Sequence, residues 1–182
     1  MTNGDFKDLD EVMDIESHNV HAMAESLHIP ASVRWKMIQR TSRDNARTPM
    51  QWSKAPHAGF SRVRPWLKVN SNFTEVNVQS ELLNSNGVLA FWKKMIALRK
   101  SNNILAEGRF RVVYEGKSIY AFQREWKGQK LLSVCNMSGK PVKLPHLGNG
   151  WDEIVISNYT DNDPHSMQPF EFRLLAKKGA SK

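Results

Sequence analysis

The sequence predicts an α+β chain: helices and one long irregular loop up to about residue 105, then an antiparallel β-sandwich. Three observations carry this. Val88, Phe91, Trp92, Met95, Ile96 and Arg99 recur at helical spacing within residues 87–101. Residues 41–80 hold several turn formers and little periodicity. After Gly108, short apolar runs alternate with turn signals, the pattern of an antiparallel sandwich.

The elements follow in order. Residues 8–28 read as helix, with Val12, Ile15, Val20, Met23 and Leu27 as a partial apolar stripe and Pro30 as its stop. Residues 31–40 read as a second helix, with Val33, Met37 and Ile38 on roughly one side. The helix over 87–101 has Asn86 as its N-cap, and Arg99 and Lys100 where cations suit a C-terminus. Strands are predicted at 109–113, 119–124, 130–136, 142–144, 153–157 and 171–176. Glu115-Gly116-Lys117, Lys127-Gly128, Ser138-Gly139-Lys140 and Leu147-Gly148-Asn149-Gly150 separate them. Two domains result, 1–105 and 106–182.

Bulk properties narrow the class. Of 182 residues, 40% are hydrophobic and 24% charged, ordinary for a globular chain. No apolar run is long enough for a membrane-spanning helix, and Met1-Thr2-Asn3-Gly4-Asp5-Phe6 has no basic-then-apolar secretory pattern. A reducing cytoplasm fits one cysteine, Cys135, set in the apolar run Leu131–Cys135 as a strand thiol rather than a nucleophile. The net charge of +8 raises nucleic acid as a partner, but the basic residues are scattered. Their densest cluster, Lys177-Lys178 near Lys182, is a terminal tail. No nucleic acid and no membrane are therefore expected. Asn72-Phe73-Thr74, Asn136-Met137-Ser138 and Asn158-Tyr159-Thr160 match a glycosylation acceptor, read as chance without a secretion signal.

The richest stretch runs from Ser42 through Arg43, Asp44, Asn45, Ala46, Arg47, Thr48, Pro49, Met50 and Gln51 to Trp52. It joins two guanidinium forks, a carboxylate, two amides and an indole. Arg can hold a carboxylate or adjacent hydroxyls in one geometry, and Trp offers an apolar face with one donor. That mixture suits a sugar ring. The bland alternative is an ion-paired loop over a core.

This run resembles a segment of glycoside hydrolase family 13. So do Ala58-Gly59-Phe60, the residues from Pro65 to Asn70, Asn77-Val78-Gln79, the residues from Val88 to Lys100, and the closing Gln168-Pro169-Phe170-Glu171. The branch is that of oligo-1,6-glucosidases, dextran glucosidases, trehalose-6-phosphate hydrolases and sucrose isomerases. Even Met1-Thr2-Asn3 is similar to the interior of that family, just after its last barrel strand. The resemblance covers nearly the whole chain but only the C-terminal third of a family member. It implies that residues 1–105 are the loop and helices following the last strand of a (β/α)8 barrel. Residues 106–182 would be the antiparallel β domain that follows. Active sites in such barrels sit on loops at the strand C-termini.

The resemblance implies an α-glucosidase that releases terminal glucose with retention and needs no cofactor. Retention takes two carboxyl groups about 5–5.5 Å apart. The family draws these, and an assisting aspartate, from strands four, five and seven, ahead of the part represented here. No catalytic residue is therefore assigned, and the chain alone should be inactive. The family's arginine-rich loop helps to hold the non-reducing glucose, which makes Arg47 the first substrate-binding candidate and Arg43 the second. The expected partners are a small α-glucoside in the intact enzyme and, for this chain, an N-terminal barrel fragment. Ser53-Lys54 stands where many relatives carry acidic residues, and Arg62 and Arg64 add charge, which touches linkage preference.

Other groups carry simpler readings. Asp44 reads as a partner for an arginine. Trp52 and Trp66 can stack on sugar, but large loop aromatics are more often packed. The acidic residues Asp5, Asp8, Asp10, Glu11, Asp14 and Glu16 read as a solvated helix face. Asp161 and Asp163 read as a turn. His18 and His21 sit three apart, but nothing completes a tetrahedral set, so no metal is assigned. The alternative function is a non-catalytic β-sandwich that binds glycan or a partner chain.

Overall fold

The computed structural model describes residues 1–177, so Lys178 and the rest of the basic tail lie outside the described residues. The chain divides into two compact units, Met1–Ala90 and Phe91 onward.

The first unit opens with a single turn at Leu9–Glu11, then α1 (Ile15–Ser26) and α2 (Ala31–Thr41). The long helix expected over 8–28 is thus broken between Val12 and Asp14. Val12 is needed in the core with Phe6, Ile38 and Leu67. The predicted apolar stripe is only partly used: Ile15 and Met23 of α1, Leu27 just past its end, and Val33 and Met37 of α2 are exposed. The loop over 41–80 is ordered by short turns at Arg43–Ala46, Pro56–Gly59 and Ser71–Thr74, and ends in a short helix α3 (Val78–Leu83). Asn77 caps α3, its Oδ1 accepting from the Ser80 N–H at 2.8 Å.

The chain's first residues are sewn onto this loop. The Gly4 N–H donates to Asn45 Oδ1 at 2.9 Å, and the Asp5 N–H to Asn70 Oδ1 at 3.2 Å. The buried Asn70 returns its amide to the carbonyls of Thr2 and Asn3. Lys68 binds Glu11 at 2.8 Å and Asp5 at 3.5 Å.

Helix α4 (Val88–Ser101) forms as its periodicity predicts, but Asn86 gives its own N–H to Asn84 Oδ1. Glu81 Oε2 takes the Leu89 N–H at 3.2 Å, a carboxylate doing the capping from α3. Val88, Trp92 and Ile96 form an exposed apolar stripe.

The second unit adds α5 (Asn103–Glu107), which the sequence pattern does not reveal; Asn102 Oδ1 caps it by accepting from Ile104 and Leu105. Among the described residues seven strands follow: β1 (Arg109–Glu115), β2 (Ile119–Trp126), β3 (Gln129–Asn136), β4 (Val142–Lys143), β5 (Glu153–Ser157), β6 (Ser166–Met167) and β7 (Phe172–Ala176). They make a five-stranded sheet in the order β1-β2-β3-β7-β5 and a two-stranded sheet β4-β6. All pairings are antiparallel, and both outer pairs, β1–β2 and β5–β7, contain a register shift. Ile119, Ala121, Leu132 and Val134 pack on one face with Met167 of the small sheet. Ile104 and Leu105 of α5 pack on the other face, over Leu131, Leu174 and Ala176, with Leu98 of α4 beside them. That contact is why the compact unit begins inside α4, ahead of the change of pattern near residue 105. Cys135 lies half-buried in β3, and burial raises its thiol pKa.

Arg173 closes this unit. Its Nε binds Glu171 Oε1 at 2.6 Å, and its two Nη atoms donate to the carbonyls of Asp163 and Ser166, each at 2.7 Å. Both side chains are buried, and the Gln168 N–H satisfies the other Glu171 oxygen at 2.6 Å. The arginine thereby ties β7 to the loop leading into β6. Removing one member of a buried pair strands the other charge. Arg173→Met is expected to destabilise the β domain by about 3–5 kcal/mol, and the double variant Glu171→Gln, Arg173→Met by less. Urea unfolding monitored at Trp126 and Trp151 checks this; equal losses would contradict it.

Candidate functional site

Asp44 is fully buried. Its Oδ2 accepts the backbone N–H groups of Met13 and Asp14 at 2.6 and 2.9 Å. Asp14, also buried, answers from the other side: its Oδ2 accepts the Arg43 N–H at 3.3 Å and the Ser17 hydroxyl at 2.8 Å. Each carboxylate thus caps the other segment's backbone. Two adjacent negative charges need a cation. Arg47 supplies it, with Nη1 3.5 Å from Asp44 Oδ1 and 3.9 Å from Asp14 Oδ1. The Arg47 side chain stays 44% exposed, so the fork is anchored at one end and open at the other.

Arg43 points elsewhere, its Nη2 paired with Glu16 on α1. Arg43, Glu16, Asp14, Ser17 and Ile38 line a cavity of about 220 Å³ beside the cluster. Asp44 is an arginine partner, as its sequence context suggests. Asp14 is not the solvated residue expected of the acidic cluster. Its spacing to Ser17, a polar pair opening a helix, is the signal that identifies it.

The rest of the loop holds this turn in place. Gln51 donates its side-chain amide to Val76 O at 2.6 Å and Asn72 Oδ1 at 3.1 Å, while its backbone carbonyl accepts the Val78 N–H at 2.9 Å. Trp52 O accepts the Gln79 N–H at 3.0 Å, so Asn77-Val78-Gln79 is the strip against which Gln51 and Trp52 lie. His57, Ala58 and Gly59 run at φ 53°, 58° and 67°. This left-handed turn aims the Ala58 carbonyl at the Trp52 and Ser53 N–H groups, at 2.9 and 3.0 Å. A side chain at Gly59 would also meet Ser53 Oγ at 2.6 Å. Trp52 and Trp66 are 51% and 65% exposed rather than packed; backbone bonds to Ala58 and Gln79 hold the Trp52 segment. Thr48 Oγ1 and Gln51 Oε1 are buried with no hydrogen-bond partner. Among the described residues, no three His, Cys, Asp or Glu side chains group to hold a metal ion.

Burial pushes the Asp14 carboxyl pKa up, but hydrogen bonds from Ser17 and the Arg43 N–H, with the charges of Arg43 and Arg47, outweigh it and hold the pKa below its ordinary value. A carboxyl whose pKa is lower folded than unfolded stabilises the fold above about pH 4 and loses that contribution as pH falls through the lowered value. The first unit is expected to lose stability below about pH 4, and Asp14→Asn to be less stable at neutral pH with a shallower acid slope. Urea midpoints across the acid range measure both; an unchanged slope would refute the assignment.

The comparisons with known proteins agree on the source of this loop. The family description "Alpha amylase, catalytic domain" matches residues 12–108. The chain is 34% identical to an oligo-1,6-glucosidase of Halalkalibacterium halodurans, over 95% of this chain and 32% of that enzyme. It is 41% identical to a glucan 1,6-alpha-glucosidase of Streptococcus dysgalactiae subsp. equisimilis, over 90% of this chain and 30% of that one. The crystal structure of Bacillus licheniformis trehalose-6-phosphate hydrolase superposes with a TM-score of 0.86 at 30% identity, covering 97% of this chain and 34% of that one. The chain spans about a third of the length of the curated relatives it matches. It carries the last part of a (β/α)8 barrel, helices and a long loop, and the antiparallel β domain that follows it. With its arginine-rich loop, its helices and its β domain all matched, the chain belongs to the α-amylase family of glycoside hydrolases, family 13, in the branch of the α-glucosidases.

Proposed function

We propose that this chain is the C-terminal portion of an oligo-1,6-glucosidase-like enzyme that hydrolyses terminal glucose from short α-linked oligosaccharides in the cytoplasm. Arg47 holds the glucose. The observation that carries this is the anchored, half-open guanidinium: two buried carboxylates fix one end while the other end can reach vicinal hydroxyls. Arg43, one turn away and more exposed, is the second contact, poised over the small cavity it lines.

The reacting carboxylates belong to the barrel strands that precede this loop in the family, so the chain by itself does not turn over substrate. An N-terminal barrel portion is its partner. The exposed apolar side chains Ile15, Met23, Val88, Trp92 and Ile96 fit surfaces that such a portion covers. A reducing compartment suits Cys135, and no helix among the described residues is long and apolar enough to cross a membrane.

The purified chain is expected to show no turnover of p-nitrophenyl α-glucoside or isomaltose above a heat-killed control. In an enzyme completed with the barrel of a relative, Arg47→Lys keeps the charge and loses the fork. Losing a pair of charge-assisted hydrogen bonds, about 1.5–3 kcal/mol each, should lower kcat/KM by roughly a hundredfold or more. An efficiency within about twofold of the parent, or activity in the isolated chain, would overturn this reading.

A further inference from the structure

We propose that the β domain carries a sugar site of its own, in a cavity of about 540 Å³ where the β2–β3 turn faces the junction of α4 and α5. Its ligand is a short α-linked glucoside. Small-molecule sites run from roughly 300 to 1,000 Å³, with an apolar lining and a few fixed polar groups. Here Ile104, Leu131 and Ala176 give the apolar floor and Trp126 an aromatic wall. Asn103 and Lys127 stand at the polar side.

The placement of Lys127 points to a ligand. Lys127 and Gly128 form the hairpin turn at φ 48° and 80°. Both positions favour Asn, Asp or Gly, and a lysine in the first is strained. The strained turn brings Lys127 Nζ to 5.7 Å from the centre of the Trp126 ring. Asn103 opens α5, whose first turn is capped by Asn102 Oδ1, accepting from the Ile104 and Leu105 N–H groups at 2.9 and 3.4 Å. An indole face, an ammonium and an amide together match the apolar face and hydroxyl edges of a hexose. An anion fits less well. Lys130, also on the lining, is paired with Glu125 at 3.3 Å, so among the described lining residues the uncompensated charge is that of Lys127.

The choice of an α-linked glucose rests on the function proposed above; the cavity lies wholly within the second unit and involves neither Arg47 nor Arg43. The test is an amide-resolved NMR titration of the full chain with isomaltose and with maltotriose. Saturable shifts are expected at residues 101–104 and 126–131 and at the Trp126 indole N–H. Lys127→Gly relieves the turn and removes the ammonium. It should raise Tm and weaken sugar binding about tenfold, a pairing of effects that a purely structural lysine would not give. Absence of shifts at those amides, or undiminished binding by Lys127→Gly, would overturn the site. So would inorganic phosphate that shifts the same amides and displaces the sugar. Shifts confined to residues 43–52 would refute this site while supporting the Arg47 reading.

Discussion

Asp44 is a carboxylate with no access to water, and it is satisfied by the backbone of a segment some thirty residues before it, at Met13 and Asp14. A buried charge is tolerable only when its oxygens are filled, so the turn from Arg43 to Ala46 and the start of α1 must occupy one arrangement together. Asp14 repeats the logic in reverse, taking the Arg43 N–H. With two carboxylates brought face to face, the cation that separates them is obligatory, and Arg47 inherits its position from that requirement. The same counter-ion position fixes where the exposed part of its fork stands, and the proposed glucose contact rests on that placement.

The second unit solves a similar problem with the sign reversed. There the buried cation, Arg173, is ringed by one carboxylate and two carbonyls. The apolar layers on either side of the five-stranded sheet supply the bulk of the driving force. The ionic knot determines how the irregular stretch between β5 and β7 is laid down, including the two-residue strand β6.

Much of this architecture is legible in the sequence because it depends on local signals. The strands β2 and β3 read clearly from apolar runs bounded by turn residues, and α4 from its periodicity. What escapes is what tertiary contacts decide. The break before α1 arises because Val12 is drawn into the core and Asp14 into the clasp, at positions whose pattern continues a helix. Helices α3 and α5 are too short to show a period and are announced only by the caps Asn77 and Asn102. The strand Ser166–Met167 has no pattern to display. At the candidate site, the pairing of Asp44 with an arginine is visible in the motif. The contribution of Asp14 and the exposure of Trp52 and Trp66 are not, since they depend on what lies across the loop.

The sheet's two outer strands share one more property. Both β1 and β5 break register with their neighbours, between Val112 and Tyr114 and between Ile154 and Ile156, while β2, β3 and β7 pair without interruption. A flat margin with Phe110, Val112 and Tyr114 exposed along it would offer a template for the strand of a neighbouring molecule. The bulges twist those margins and spoil the spacing of their unpaired amides. The regular ladder is therefore confined to the interior, and the domain can carry exposed apolar residues at its rim without inviting fibrous, edge-to-edge growth.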